Sequence, residues 1–188
     1  MKKFIRLRTF TSTELVIIGL VAALGIATKP IVVPLVHIIT GPLFIPGGSL
    51  AGGFYMLWLV LGAGIVRKTG TATVIAFTQA VIAIILGIYG THGIVSLLTY
   101  TAPGIAADLV FICSKNKNYN LMHFFLAGAL SNTAGAFAVN LMLFQLPLIP
   151  LILSLSIALF SGGLGGIIAY SLNNKLSKLK VLNEKHNN

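Results

Sequence analysis

GTHGIVSLLTYTAPGIAADLVF, residues 90–111, is oily enough to cross a bilayer, yet its polar residues keep register. His92, Ser96, Tyr100, Gly104 and Asp108 recur at every fourth position, with Pro103 among them. In a helix that spacing puts side chains on one face. A hydroxyl or amide left unpaired in hydrocarbon is costly, so such a face must meet other polar groups, water or a ligand. Pro103 removes the donor that would meet the Thr99 carbonyl, which predicts a kink near mid-membrane. The stretch therefore reads as a membrane helix with one wall turned to a shared interior.

Composition places the rest of the chain in the same solvent. Hydrophobic residues make up 56%, charged residues 9%, and the mean hydropathy is +0.96. Soluble domains carry about 25% charge. The 188 residues suit one membrane domain over residues 1–175, followed by a basic cytoplasmic tail over 176–188. The single cysteine, Cys113, excludes an internal disulfide. The net charge of +10 does not indicate nucleic acid, because the basic residues form short clusters between apolar runs. Lys2, Lys3, Arg6 and Arg8 before the apolar run resemble a secretory leader. The remainder of the chain is equally membrane-like, so the first run reads as a retained helix.

At about 20 apolar residues per crossing, six segments qualify. They cover residues 12–28, with a possible kinked continuation to 39, then 50–66, 71–88, 93–113, 121–144 and 147–173. With the N-terminus in the cytoplasm, twelve of the thirteen Lys and Arg fall on inside segments: Lys2, Lys3, Arg6, Arg8, Arg67, Lys68, Lys115, Lys117, Lys175, Lys178, Lys180 and Lys185. Only Lys29 falls outside. Five or seven crossings would spoil that asymmetry. The expected fold class is an all-α integral membrane protein, a six-helix bundle with both termini inside.

Its first outer connection, from Lys29 to Ser49, is long and apolar, with Pro30, Pro34, Pro42, Pro46, Gly41, Gly47 and Gly48. Irregular backbone cannot face lipid. The sequence thus predicts a loop folded over the bundle, either a lid on a cavity or a structural cap.

Small residues at spacing four mark close helix packing. Gly19, Ala23 and Ala27 form such a stripe on the first helix, Ala72, Ala76 and Ala80 on the third, and Ser154, Ala158, Gly162 and Gly166 on the last. The second and third of these read as internal packing. Polar candidates for a cavity wall are Tyr55 and Trp58, Gln79, then His92, Ser96 and Tyr100, then Asn132 and Asn140. Aromatic walls with a few amides and an imidazole suit a flat polar heterocycle. Each amide could instead bond a neighbouring helix.

Asp108 lies near the inner end of its helix, at the depth of Arg67, Lys68, Lys115 and Lys117, and reads as an ion-pair anchor or a relay. It is the only acid between Glu14 and Glu184, which speaks against a proton- or sodium-coupled carrier. No cluster of metal ligands, nucleophile motif or Walker loop is visible, so neither an enzyme nor a cofactor is expected.

Six helices, a long first outer loop, basic cytoplasmic ends and Ala23-xxx-Ala27 together resemble the substrate-binding S component of an energy-coupling-factor (ECF) vitamin importer. GGFYMLWLVLGAGIVRKTG and YTAPGIAADLVF are most similar to the YkoE-type branch, associated with thiamine or its hydroxymethylpyrimidine precursor. Members of that branch are often described as cobalt-transport permeases. The resemblance implies a prokaryotic plasma-membrane protein that takes up a vitamin under its first loop. It implies partners too: a transmembrane coupling subunit docking on Gly19, Ala23 and Ala27, and two ATPase subunits that drive toppling and release. Thiamine-like members carry acids in the third helix; here stand Gln79 and alanines, which favours a neutral ligand over a cationic one. A stand-alone channel or facilitator and a non-binding structural subunit are the competing readings.

Overall fold

Apolar runs of 12–30 residues, interrupted by Gly, Pro and short polar turns, become helices because lipid offers backbone amides no other partner. The computed structural model describes residues 9–41, 47–87, 93–114 and 118–178. The helices are α1 (Ser12–Ala27), α2 (Lys29–Thr40), α3 (Gly47–Val66), α4 (Thr71–Leu86), α5 (Ser96–Ile112), α6 (Leu121–Val139) and α7 (Leu148–Ser177). A 3-10 turn, Gly93–Val95, leads into α5, and a π-helical turn, Asn140–Phe144, closes α6. His92, Pro42, Pro46, the basic residues up to Arg8, Lys115, Lys117 and most of the basic tail lie outside the described residues.

Among the described residues, five helical stretches are long and apolar enough to cross a membrane: Ser12–Ile38, Gly47–Val66, Gly93–Ile112, Leu121–Phe144 and Leu148–Ser177. The remaining apolar helix, α4, has 16 residues, or about 24 Å at the usual helical rise. Helix boundaries agree with the sequence reading to within a few residues.

The connection after α1 differs in part from its expectation. The sequence leaves Lys29–Ser49 open between an irregular loop and a kinked continuation of the first helix to about 39. Lys29–Thr40 is helical and α3 already begins at Gly47, so the helical alternative holds and the loop is much shorter. Pro30 lies in the first turn of α2, where a missing N–H removes little. Helical hydrogen bonds then satisfy a backbone flanked by apolar side chains. The break between α1 and α2 falls at Thr28, whose hydroxyl bonds the Gly25 carbonyl at 2.9 Å. α2 packs back on the start of α3, with Thr40 and His37 against Gly47.

Helix α3 runs through the middle and touches α1, α2, α4, α5, α6 and α7. Its interior face carries Leu57, Leu59, Val60, Leu61 and Ala63, packed with Phe111 and Phe124. Small residues let the other helices close around it. A Cβ on Gly162 would strike the Gly128 carbonyl, one on Gly165 the Gly53 carbonyl, and one on Gly104 the Ala76 side chain. Ala72, Ala76, Ala80, Ser154, Ala158, Gly162 and Gly166 are all buried, as internal packing requires. α5 runs on through Pro103, which is buried against Gly135 of α6.

Candidate functional site

Polar chemistry gathers at the two ends of the bundle and differs between them. At one end lie the start of α1, the α3–α4 turn and the second half of α5. Lys68 Nζ pairs with Glu14 at 2.6 Å and bonds the Thr9 carbonyl at 2.9 Å. Asp108 accepts hydrogen bonds from the backbone N–H of Ala72 (3.2 Å) and Thr73 (2.8 Å), and from the Thr73 hydroxyl (2.6 Å). Its carboxylate therefore caps the N-terminus of α4, where N–H groups point outward unpaired and the helix dipole favours negative charge. The sequence reading offered an ion pair or a relay; among the described residues these partners are those of a cap. A cavity of about 120 Å³ opens beside it, lined by Lys68, Thr69, Phe111, Ser114 and Tyr119 among others.

The opposite end holds the α1–α2 joint, the first half of α3, the last half of α4 and the first turns of α5. Here the predicted residues Tyr55, Trp58, Gln79 and Tyr100 come together. Gln79 and Trp58 both lie against Gly25 of α1. A turn further along, the ammonium of Lys29 sits 3.6 Å from the centre of the Tyr100 ring and 5.1 Å from that of Tyr55. Lys29 is 7% exposed and Gln79 5%. The Tyr55 hydroxyl and the Gln79 amide nitrogen are buried without a hydrogen-bond partner among the described residues. Donors unpartnered at this depth are costly unless something else occupies the space before them.

Of the other predicted residues, Asn132 and Asn140 have partners outside this cluster. Asn132 Nδ2 donates to the carbonyls of Ser49 (3.0 Å) and Ala158 (2.8 Å), tying α6 to α3 and α7. Asn140 Oδ1 accepts from Leu146 N–H at 2.9 Å and so closes the π turn. Ser96 is buried in the first turn of α5. His92 lies outside the described residues.

Lys29 was missed as a site residue. Its signal was present: the one basic residue on the far side of the charge asymmetry, placed directly before a proline at a helix joint. A buried lysine stacked on tyrosines needs tertiary structure to be seen.

On α1 the stripe predicted to meet a partner faces away from the bundle. Ala23 and Ala27 are exposed, Gly19 is half-buried, and Leu20 and Leu24 flank them. An apolar groove of about 530 Å³ lies between α5, α6 and α7, lined by Leu109, Leu130, Phe137 and Leu155 among others.

A solved structure titled "Crystal structure of an S-component of ECF transporter" superposes with a TM-score of 0.78 at 23% identity, covering 94% of this chain and 90% of that one. At that identity the likeness is one of fold. No curated protein matches the chain. The arrangement is that of a multi-pass membrane protein. Residues 13–134, about two thirds of the chain, match the family described as "ABC-type cobalt transport system, permease component", and the chain belongs to that family.

Proposed function

We propose that the chain is the substrate-binding S component of an ECF-type importer. It captures a vitamin or vitamin precursor built on a flat heterocycle, of the thiamine or hydroxymethylpyrimidine kind. A coupling subunit and two ATPases then drive its release inward. The observation that carries this reading is the fold likeness, over 94% of the chain, to a protein titled an S component.

Three features support it. Aromatic rings and unpartnered donors meet at the end of the bundle opposite Lys68, Glu14 and Asp108, as a site loaded from outside requires when basic residues stay in the cytoplasm. The small-residue stripe of α1 is exposed and open to a partner helix. Among the described residues no three His, Cys, Asp or Glu side chains converge. A cobalt ion as cargo would therefore lack a donor set there, and an organic cargo suits the cluster better.

In this reading the chain crosses six times, with α1 and α2 forming one broken crossing, both termini inside and residues 176–188 as a cytoplasmic tail. Tyr55, Trp58, Gln79 and Tyr100 line the site, with Ser96 one turn before Tyr100 on α5; His92, also expected there, lies outside the described residues. Asn132 and Asn140 hold the surrounding walls through their bonds to backbone groups.

The test is purification in detergent, mass spectrometry of any retained small molecule, and thermal unfolding with candidate vitamins in excess. A ligand at a hundred times its Kd stabilises by about 2.7 kcal/mol, a rise of several degrees. If nothing co-purifies and no vitamin stabilises the protein, the binding role is refuted.

A further inference from the structure

The cluster at the α1–α2 joint holds a buried lysine among tyrosines and an amide, with no carboxylate beside it among the described residues. Lys29 contributes an ammonium with three N–H donors and no acceptor capacity. The Gln79 amide nitrogen and the Tyr55 hydroxyl add donors without partners. No acid balances the lysine among the described residues: Glu14 pairs with Lys68, and Asp108 caps α4 at the other end. The rings of Tyr100 and Tyr55 attract the cation through their faces, but they offer it no negative charge. A lysine buried this far either meets a countercharge or gives up its proton, and a bound anion would supply the first.

The geometry points to a cargo that brings that countercharge: a ring compound bearing one carboxylate, bound with its anionic group at Lys29. This rests on the importer reading but replaces its thiamine-like cargo with an anionic one. A single lysine balances a single negative charge, which fits a carboxylate better than a doubly charged phosphate. The flat body of the cargo would lie toward Trp58, one helical turn along α3 from Tyr55. A permanent cation such as thiamine would meet Lys29 with the wrong sign. The cargo's charge, which the sequence left at neutral, is here assigned as negative.

Trp58 is the only tryptophan in the chain, so its fluorescence reports the site directly. The full-length protein in detergent would be titrated with matched pairs that differ only in charge: pyridine-3-carboxylate against its carboxamide, and 4-amino-2-methylpyrimidine-5-carboxylate against its 5-hydroxymethyl counterpart. Thiamine would be titrated alongside, and any co-purified molecule would be identified by mass spectrometry. The inference expects at least one acid to bind tenfold or more tighter than its neutral partner, or a retained molecule that is a carboxylate. Lys29→Met should abolish that preference and Lys29→Arg should keep most of it. The comparison of ligands on the unmodified protein does not depend on either variant folding.

A neutral molecule or thiamine that binds as tightly as any acid, or a retained cation, overturns the inference while leaving the importer reading intact. A preference for acids that survives Lys29→Met removes Lys29 from the role. Absence of any bound or retained molecule refutes this inference and the importer reading together.

Discussion

Asp108 shows how one side chain takes its role from a neighbour distant in sequence. Helix α4 starts after Gly70, which sits at φ 87° and has no side chain to accept the first N–H groups. Asp108, 35 and 36 positions away on α5, accepts two of them together with the Thr73 hydroxyl. Asp108→Ala would leave those donors buried and unpaired, and should destabilise the protein by about 1–2 kcal/mol. Asp108→Asn keeps an acceptor and should cost less than the alanine variant. Thermal unfolding in detergent of both variants measures the difference. Equal stability of Asp108→Ala and the parent would mean that the cap contributes nothing. Sequence alone marked Asp108 as a lone acid in an apolar helix, but not its partners, because a helix N-terminus offers backbone donors that no residue letter records.

Among the helices, spacing and packing are related but not equivalent. Three stripes of small residues are visible in the sequence at spacing four. Those on α4 and α7 are buried, and that on α1 faces outward. On α7 the approach is so close that backbone meets backbone, with Gly162 against Gly128 of α6. Gly162→Val should therefore separate the two helices and cost about 1–3 kcal/mol, read as a lowered unfolding temperature and loss of monodispersity. Gly19→Ala is the contrasting case: nothing lies within 4 Å of a Cβ there, so stability should change little or rise slightly through helix propensity. The stretch after α1 shows the converse limit. Four prolines and three glycines between Lys29 and Ser49 predict irregular chain, yet Pro30 and Pro34 sit inside helix. The solvent decides this, because in an apolar setting a helix missing two donors is less costly than a loop missing many partners.

For the molecule as a whole, the exposed face of α1 is the surface where assembly would be felt. Ala23 and Ala27 leave a shallow strip between Leu20 and Leu24 into which another helix can settle. Ala23→Leu together with Ala27→Leu should leave folding and ligand binding within about twofold of the parent and abolish uptake in cells. Pull-down with the coupling subunit and radiolabelled uptake separate this from a folding defect. Uptake that persists in the double variant would move the docking surface elsewhere. Position and extent of most helices were readable in the sequence because hydropathy sets them; the separate helix over Lys29–Thr40, and five spanning stretches among the described residues where six were expected, were not. Of the eight residues singled out by polarity in an apolar context, four lie at one end of the bundle: Gln79 and Trp58 against Gly25, Tyr55 and Tyr100 against Lys29. Asn132 and Asn140 carry the same kind of side chain in the same context. What separates them is where their hydrogen bonds go, and both bond backbone groups of the bundle.

By itself the amino-acid sequence determined that this protein lives in a bilayer and where most of its helices begin and end within a few residues. These follow from local quantities: transfer energy of side chains, the rise of a helix and the cost of an unpaired amide. Only the tertiary structure decided that the connection after α1 is a helix, that Asp108 caps a neighbour, and that Lys29 lies buried over two tyrosine rings. Each depends on which surfaces come within a few ångströms of one another, and packing of distant segments sets that.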